Sequence, residues 1–443
     1  MEEKLPCVSG VGSVRVIKFS KVTPTPPNPD KLSIFDHFLA STPPIKALLF
    51  FPTVVNPLNF PSIVCKLKES LSKALKHFHP LSGRLSWSPD SKKFEIIYDA
   101  QSSSTTFIEA ECEEDFGLLV KADVHDSRVY DELAPPLNSD DKAMEVLSIQ
   151  FTTFGRGGGG LVIGVSMHHV VADGRSYWSF VKSWAEICRT GGLEVVPVLD
   201  RSAVTEPDEL TRLYEGSPMA SSSWRSEPKS PHSQGPLLIR KTFILKQSLI
   251  QVLKERAGTT SNSKVSSFVA VCAHAWVCST KARRVPRTDT TIFHFLVDCR
   301  PLLRPPLPET YFGNLITPCF VEAEASRLLC DDDNLAFAAA TIQTAVRGVT
   351  EDPLRDCEAW PVWLAKTREP SRATLNVGSS PKFTAYEVNF GWGRPERIEF
   401  VLKDKVGTMV LADARDEVGG FQVCMVLPPS EMDEFSNLFM DGF

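Results

Sequence analysis

The stretch from Gly160 to Gly174 constrains this chain more than any other. Leu161-Val162-Ile163-Gly164-Val165-Ser166-Met167 is short, apolar and rich in β-branched residues, and it follows the glycine tract Gly157–Gly160. It reads as a buried strand entered from a loop. Beyond Gly174 the period changes. Tyr177, Phe180, Val181, Trp184, Ile187 and Cys188 recur at helical spacing, which predicts a helix with one inward face. His169-Val170-Val171-Ala172-Asp173 lies at that junction, so a histidine sits where a strand gives way to a helix, with a carboxylate four residues on. Such a placement suits a general base, because a rigid element aims an imidazole whose pKa lies near neutrality. A histidine at a strand end also serves as a structural hydrogen-bonding group. His168 is read that way, and these residues alone leave His169 open between the two roles.

A second signature lies far downstream. Asn389-Phe390-Gly391-Trp392-Gly393 places two glycines around an indole, the mark of a tight turn needing freedom of φ. Gly378-Ser379-Ser380-Pro381-Lys382-Phe383 stands just before it. Between the signatures come Val297-Asp298-Cys299-Arg300-Pro301 and Tyr311-Phe312-Gly313-Asn314-Leu315. In this order the four stretches resemble the plant BAHD acyl-CoA-dependent acyltransferases, whose diagnostic motifs are HxxxD and DFGWG. The likeness extends from His79-Pro80-Leu81-Ser82-Gly83-Arg84 near the N-terminus to Gly419-Gly420-Phe421 near the C-terminus. It therefore spans essentially the whole chain.

At 443 residues the chain is too long for one core and suits two domains. Residues 1–200 are expected to form the first, carrying the histidine motif. The Ser- and Pro-rich stretch 201–236 reads as a crossover linker, and 237–443 as the second domain, carrying the Asn389–Gly393 motif. The segment near 365–385 is open to packing with the first domain. Strand and helix patterns mix throughout, so the class is α/β. The resemblance implies two domains like those of chloramphenicol acetyltransferase with a solvent channel between them.

Composition narrows the partners. The formal net charge of −6 disfavours a broad nucleic-acid footprint, though a local basic cluster can still meet a phosphorylated cofactor. No apolar run is long enough to cross a bilayer, and no signal region opens the chain. Eleven scattered cysteines fit neither a disulfide framework nor a zinc site. A cytoplasmic monomer is expected, acting on small molecules, with no metal and no permanently bound cofactor.

The candidate catalytic set is His169, Asp173 and Asn389, with Arg300, Gly391 and Trp392 as structural support. The resemblance makes His169 the base that takes the acceptor hydroxyl's proton. It places Asp173 away from substrate, paired with an arginine at the position of Arg300, and this is favoured over a triad role. Asn389 stands where the family has aspartate, so a salt bridge there is lost while turn hydrogen bonds survive. Trp392 is read as structural, its N–H satisfied internally, with an oxyanion role the lesser alternative. Gly164–His168 lacks the final glycine of a nucleophile elbow, and Gly157–Gly160 lacks the lysine of a P-loop, so direct transfer without an acyl-enzyme is expected.

The co-substrate implied is acyl-CoA. For its phosphates the candidates are Lys281 and Arg284, in the dense basic cluster with Arg283 and Arg287, although cations at a helix C-terminus equally favour its dipole. Ser266 and Ser267 open the preceding apolar helix and are candidates to cap it or to donate to the cofactor. Ser379, Ser380 and Lys382 carry over as lining of the acyl or acceptor pocket. Within the family, the Tyr311–Leu315 and Gly378–Phe383 stretches look most like the branch acting on anthocyanin, flavonoid and simpler phenolic glucosides, often with malonyl-CoA. A malonyl carboxylate wants a cation, and Arg175 is the nearest, unless it only supports its own turn. Hydroxycinnamoyl transfer, a noncatalytic phenolic-ligand binder and a thioester hydrolase stay as alternatives.

Overall fold

The computed structural model describes residues 13–22, 31–52, 60–98, 104–122, 124–125, 127–156, 159–204, 207–215, 238–258, 264–369, 372–401 and 405–441. Among these, the strands in chain order are β1 (Val14–Val22), β2 (Ile45–Pro52), β3 (Arg84–Ser88), β4 (Lys93–Ile97), β5 (Thr105–Asp115), β6 (Val124–His125), β7 (Ala143–Glu145) and β8 (Leu147–Arg156). They continue with β9 (Gly160–Met167), β10 (Ile239–Leu245), β11 (Thr290–Asp298), β12 (Ile316–Glu324), β13 (Ala373–Gly378), β14 (Arg397–Phe400), β15 (Thr408–Asp413) and β16 (Phe421–Leu427). The helices are α1 (Ile34–Phe38), α2 (Phe60–His77), α3 (Phe116–Lys121), α4 (Ser127–Leu133), α5 (Gly174–Thr190) and α6 (Asp208–Glu215). Then come α7 (Gln247–Gly258), α8 (Ser267–Ala282), α9 (Ala325–Leu328), α10 (Asn334–Glu351), α11 (Trp360–Lys366) and α12 (Pro429–Asp441).

A six-stranded sheet runs in the order β1-β5-β8-β9-β2-β14, and a seven-stranded sheet in the order β12-β11-β13-β15-β16-β10-β6. A small three-stranded sheet, β4-β3-β7, completes the first half. The expected buried strand is β9. It lies between β8 and β2, antiparallel to both, and every one of its residues is buried. That position explains its unbroken apolar run.

The helix after it is α5. Asp173 caps its start by accepting from the Ser176 amide, and Gly191, at φ 87°, closes its end in the left-handed region. Tyr177, Phe180, Val181, Trp184, Ile187 and Cys188 fall on the buried face, at spacings of three and four. That face meets α2 through Leu67, Leu71 and Leu75, and Trp184 Nε1 donates to the Leu67 carbonyl at 3.2 Å. In the second half α8 is buried from Val269 to Thr280, packed against α7, α10, α12 and the seven-stranded sheet. An all-round apolar helix needs such enclosure.

The division at 201–236 requires correction in two places. Asp208–Glu215 is a helix, not linker: Leu210 and Tyr214, four residues apart, are buried with Ile34, Phe35 and Leu315. The surrounding serines and prolines hide that apolar pair. Residues 216–236 of the expected linker lie outside the described residues, as do Gly157 and Gly158. The second correction concerns the motif at Asn389–Gly393. Phe390 and Trp392 pack in the first core, and β14 then adds to the six-stranded sheet alongside β2. In return β6 joins β10 in the seven-stranded sheet. Of the 365–385 segment, β13 is a central strand of the seven-stranded sheet, whereas Phe383 and Thr384 reach α5.

Candidate active site

The β9–α5 junction holds two histidines in different surroundings. His168 is buried, and its Nδ1 accepts from the Val170 amide at 3.1 Å. Burial pushes its pKa down to about 3, so it is a neutral structural group, as expected. His169 keeps partial exposure, while its ring Nδ1 is enclosed with no hydrogen-bond partner. Burial lowers its pKa; Asp173 and Asn314 act in the opposite direction without cancelling that effect. The imidazole is therefore neutral at physiological pH, the form a general base requires.

Asp173 does not orient that ring. One carboxylate oxygen accepts from the Ser176 amide at 2.9 Å; the other accepts from the Leu315 amide at 3.0 Å and faces Arg300 Nη1 at 2.8 Å. Asp173 and Arg300 are both almost completely buried. Burial alone would raise the carboxyl pKa, but the guanidinium and the amides outweigh it and hold the group below its ordinary value. Arg300 also binds Asp298 at 2.9 Å, the Gly313 carbonyl at 3.0 Å and Ser176 Oγ at 3.0 Å. Listing Asp173 as catalytic is corrected on this geometry: its acceptors are spent on the α5 cap and on the 311–315 loop.

Asn314 went unassigned in the sequence, although its stretch was noted. It is fully buried, and its Nδ2 donates to the His169 carbonyl at 2.8 Å and to Asp36 Oδ1 at 2.9 Å. Its Oδ1 is enclosed without a partner, like His169 Nδ1. Asp36 in turn pairs with Arg201 at 2.8 Å. Neither Asp36 nor Arg201 carries a motif signal, because their partners lie 165 and 278 residues away in sequence.

The second motif is elsewhere. Asn389 Oδ1 accepts from the amides of Gly391 at 2.8 Å and Gly393 at 3.2 Å, and both glycines have φ above 100°. The turn abuts Lys66 and Arg189, the latter in the last turn of α5. His169 is at the opposite end of this 17-residue helix, about 25 Å away by helical rise. Asn389 thus has no contact with His169, and its place beside that residue in the candidate catalytic set is withdrawn. Trp392 stacks on Phe390 at 5.5 Å, edge-on to Phe51, but its Nε1 is enclosed without a partner. The expected internal hydrogen bond is absent. Gly391 and Trp392 do serve the turn and the core.

The cofactor candidates do not converge. Ser266 caps α8 by accepting from the Val269 amide at 3.2 Å, and Ser267 begins the helix. Lys281, at the other end, pairs with Asp331 at 2.7 Å, and Arg284 is exposed with φ 49°. Roughly 24 Å of helix separates the two groups, so no single phosphate meets both. Asp331 and Asp333 pair with Lys281 and Arg327.

A cleft of about 390 Å³ opens beside the first turns of α5, between the two halves, lined among others by Arg175, Lys182, Glu309, Lys382 and Phe383. Phe383 lies so close to Gly174 that a Cβ there would stand 2.8 Å from the ring, which is why the motif's helix starts with glycine. Arg175 is 2.7 Å from Asp298 Oδ2, without hydrogen-bond alignment, and 3.5 Å from Glu309. It is thus engaged at the rim of its own turn and is not a bare cation awaiting a carboxylate. Lys182 donates to the Phe383 carbonyl and to Thr384 Oγ1, both at 3.0 Å, and burial lowers its pKa. Lys382 is exposed. Ser380 Oγ accepts from the Lys382 amide at 3.3 Å, and Ser379, at φ 62°, has an enclosed Oγ without a partner.

The β9–α5 junction thus presents a neutral, partly exposed histidine beside a buried Asp173–Arg300 ion pair, in a fold of two mixed sheets. Comparison with known proteins gives the family. The Transferase family matches residues 13–441. Phenolic glucoside malonyltransferase 1 of Arabidopsis thaliana is 30% identical, the match covering 97% of this chain and 98% of that protein. Malonyl-CoA:anthocyanidin 5-O-glucoside-6''-O-malonyltransferase of the same plant is 31% identical, with the same two coverages, 97% and 98%. Among solved structures, vinorine synthase superposes with a TM-score of 0.73 at 22% identity, over 97% of this chain and 98% of its own, a likeness of fold. This chain belongs to the Transferase family of BAHD acyltransferases and is an acyltransferase.

Proposed function

We propose that this enzyme transfers a malonyl group from malonyl-CoA to a sugar hydroxyl of a phenolic or flavonoid glycoside, with His169 as general base. The observation that carries the reading is the neutral, partly exposed His169, held by its carbonyl while Asp173 is fully engaged elsewhere. The imidazole takes the proton of the acceptor hydroxyl as its oxygen attacks the thioester carbonyl. The tetrahedral intermediate then collapses, the C–S bond breaks, and the imidazolium returns the proton to the departing thiolate. Both substrates are present together and no acyl-enzyme forms. Asp173 and Arg300 act as support for the turn.

Both relatives described above carry malonyl transfer in their names, which favours malonyl over hydroxycinnamoyl donors. In the cleft beside α5, Lys382 is the exposed cation for an anionic donor end; Lys182 is bonded to Phe383 and Thr384, Arg175 faces Asp298 and Glu309, and Glu186 and Glu309 also line the cleft. Ser379, Ser380, Ser266 and Ser267 remain candidates for polar contacts with the donor or acceptor, and Lys281 and Arg284 for phosphate. Acyl-CoA is thus a co-substrate, and the enzyme is taken to work as a cytoplasmic monomer. No helix among the described residues is long and apolar enough to cross a membrane.

The test is acyl-CoA consumption with and without pooled phenolic glucosides, using malonyl-, acetyl-, coumaroyl- and caffeoyl-CoA. Acceptor-dependent turnover fastest with malonyl-CoA is expected. Acceptor-independent turnover indicates a hydrolase, and none indicates a binder. His169→Ala should abolish transfer at an unchanged melting temperature; retained turnover would remove the base assignment.

A further inference from the structure

We propose that the buried Asp36–Arg201 ion pair positions the catalytic turn, acting through Asn314 on His169. The inference rests on the reading of His169 as base, and it adds two residues that no motif of the chain marks.

Asp36 lies on α1 and is completely enclosed. Its Oδ2 receives Arg201 Nε at 2.8 Å, the Ser33 amide at 2.8 Å and Ser33 Oγ at 2.9 Å. Its Oδ1 receives both the amide and the side-chain nitrogen of Asn314, at 3.0 and 2.9 Å. The pair then reaches the turn between β9 and α5 at two points, Asp36 through Asn314 and Arg201 directly. Asn314 Nδ2 holds the His169 carbonyl at 2.8 Å, and Arg201 Nη2 approaches the Val171 carbonyl at 3.3 Å. Two carbonyls two residues apart are thereby fixed, which sets the backbone from which the imidazole projects. The opposite flank is fixed by Asp173 and Arg300.

A purely stabilising role explains this poorly. Two charges taken out of water recover their desolvation only through good geometry, and well-packed apolar residues often serve stability equally well. What the pair adds is direction: Arg201's planar fork spans Asp36 and Val171, and Asp36 occupies both donors of Asn314's backbone and side chain that face it. Asn314 Oδ1 is left enclosed and unpartnered, as is His169 Nδ1. A reacting group displaced by about 1 Å loses on the order of 100-fold in rate, so slack in this clamp is read directly in turnover.

The test uses the full chain with malonyl-CoA and pooled phenolic glucosides. D36N/R201Q removes both charges together and leaves neither buried alone; R201K keeps the charge of the pair but replaces the planar fork that spans Asp36 and Val171 with a point charge on a flexible stem. The expected result is a fall in kcat of about 10- to 100-fold in D36N/R201Q and a smaller fall in R201K. KM for both substrates should stay within about twofold, since uniform binding is untouched. Parental kcat per folded molecule in both variants, whatever the change in melting temperature, overturns the proposal. If D36N/R201Q fails to fold, the kcat-against-KM split of R201K decides alone. His169→Ala measured alongside separates the two readings. A dead His169→Ala with fully active clamp variants refutes the positioning role only; an active His169→Ala refutes the base and the clamp together.

Discussion

Asp173→Asn separates a structural aspartate from a catalytic one. The asparagine oxygen still caps the Ser176 amide, seen here at 2.9 Å. Its amide nitrogen, however, replaces the oxygen that accepts from Leu315 and faces Arg300, setting donor against donor on both. Arg300 keeps Asp298 but loses its most deeply buried counter-charge. Removing one partner of a buried pair destabilises by roughly 3–5 kcal/mol. In a large folding unit, where each kcal/mol moves the melting temperature by about 2 °C, this lowers it by roughly 6–10 °C. Thermal melts followed by circular dichroism give the first number, and kcat at 15 °C, normalised to folded protein, gives the second. The structure predicts the large thermal shift with kcat within about tenfold of the parent. In a triad the pattern inverts: a histidine in the wrong tautomer loses about 10⁴ in kcat at nearly constant stability. An unchanged melt with such a loss would refute the account of Asp173 given above.

Burial holds His37, His274 and His294 at pKa values near 4 and His168 at about 3. Unfolded histidine titrates near 6.5, so below that pH the unfolded chain binds protons the folded one refuses. Stability is full above pH 6.5 and falls toward pH 4, by about 1.4 kcal/mol per pH unit for each such group; urea unfolding at pH 7.5 and 5.5 with equal midpoints would contradict this. Asn389→Ala removes the acceptor of two turn amides and should lower stability by about 1–2 kcal/mol while leaving kcat and KM alone, since the turn is a helix length from His169. A selective loss of kcat would return that residue to the active site. Gly174→Ala drives a methyl to 2.8 Å from Phe383 and should destabilise by about 1–3 kcal/mol. Partial recovery is expected on adding Phe383→Leu, and a parental melt for the single variant would show the contact to be slack.

How far the chain could be read depended on the range of each interaction. The β9–α5 junction was legible because one continuous stretch changes period from an unbroken apolar run to a helical face around His169. Arg300 as the partner of Asp173 came from likeness to a family; nothing local links positions 127 residues apart. Asp36 and Arg201 stayed invisible because a buried acid and a buried base each look like ordinary surface charges until the fold joins them. Arg397–Phe400 is too short a run to announce that it crosses to the other sheet. The ion pair within the basic cluster at Lys281–Arg287 was hidden for a related reason. Its neighbour Asp331 is distant in sequence, and a count of positive residues does not show that one of them is already paired.

The exchange of strands between the two sheets has a practical corollary for anyone recombining this enzyme with its relatives. A chimaera joined in the 216–237 region would inherit β14 from one parent and its neighbour β2 from the other, with Phe390 and Trp392 pressed into a foreign core. Modular swapping of specificity therefore has to move residues 385–401 together with the N-terminal half. A cut between residues 216 and 237 should leave the two fragments interlocked, since neither carries a complete sheet of its own.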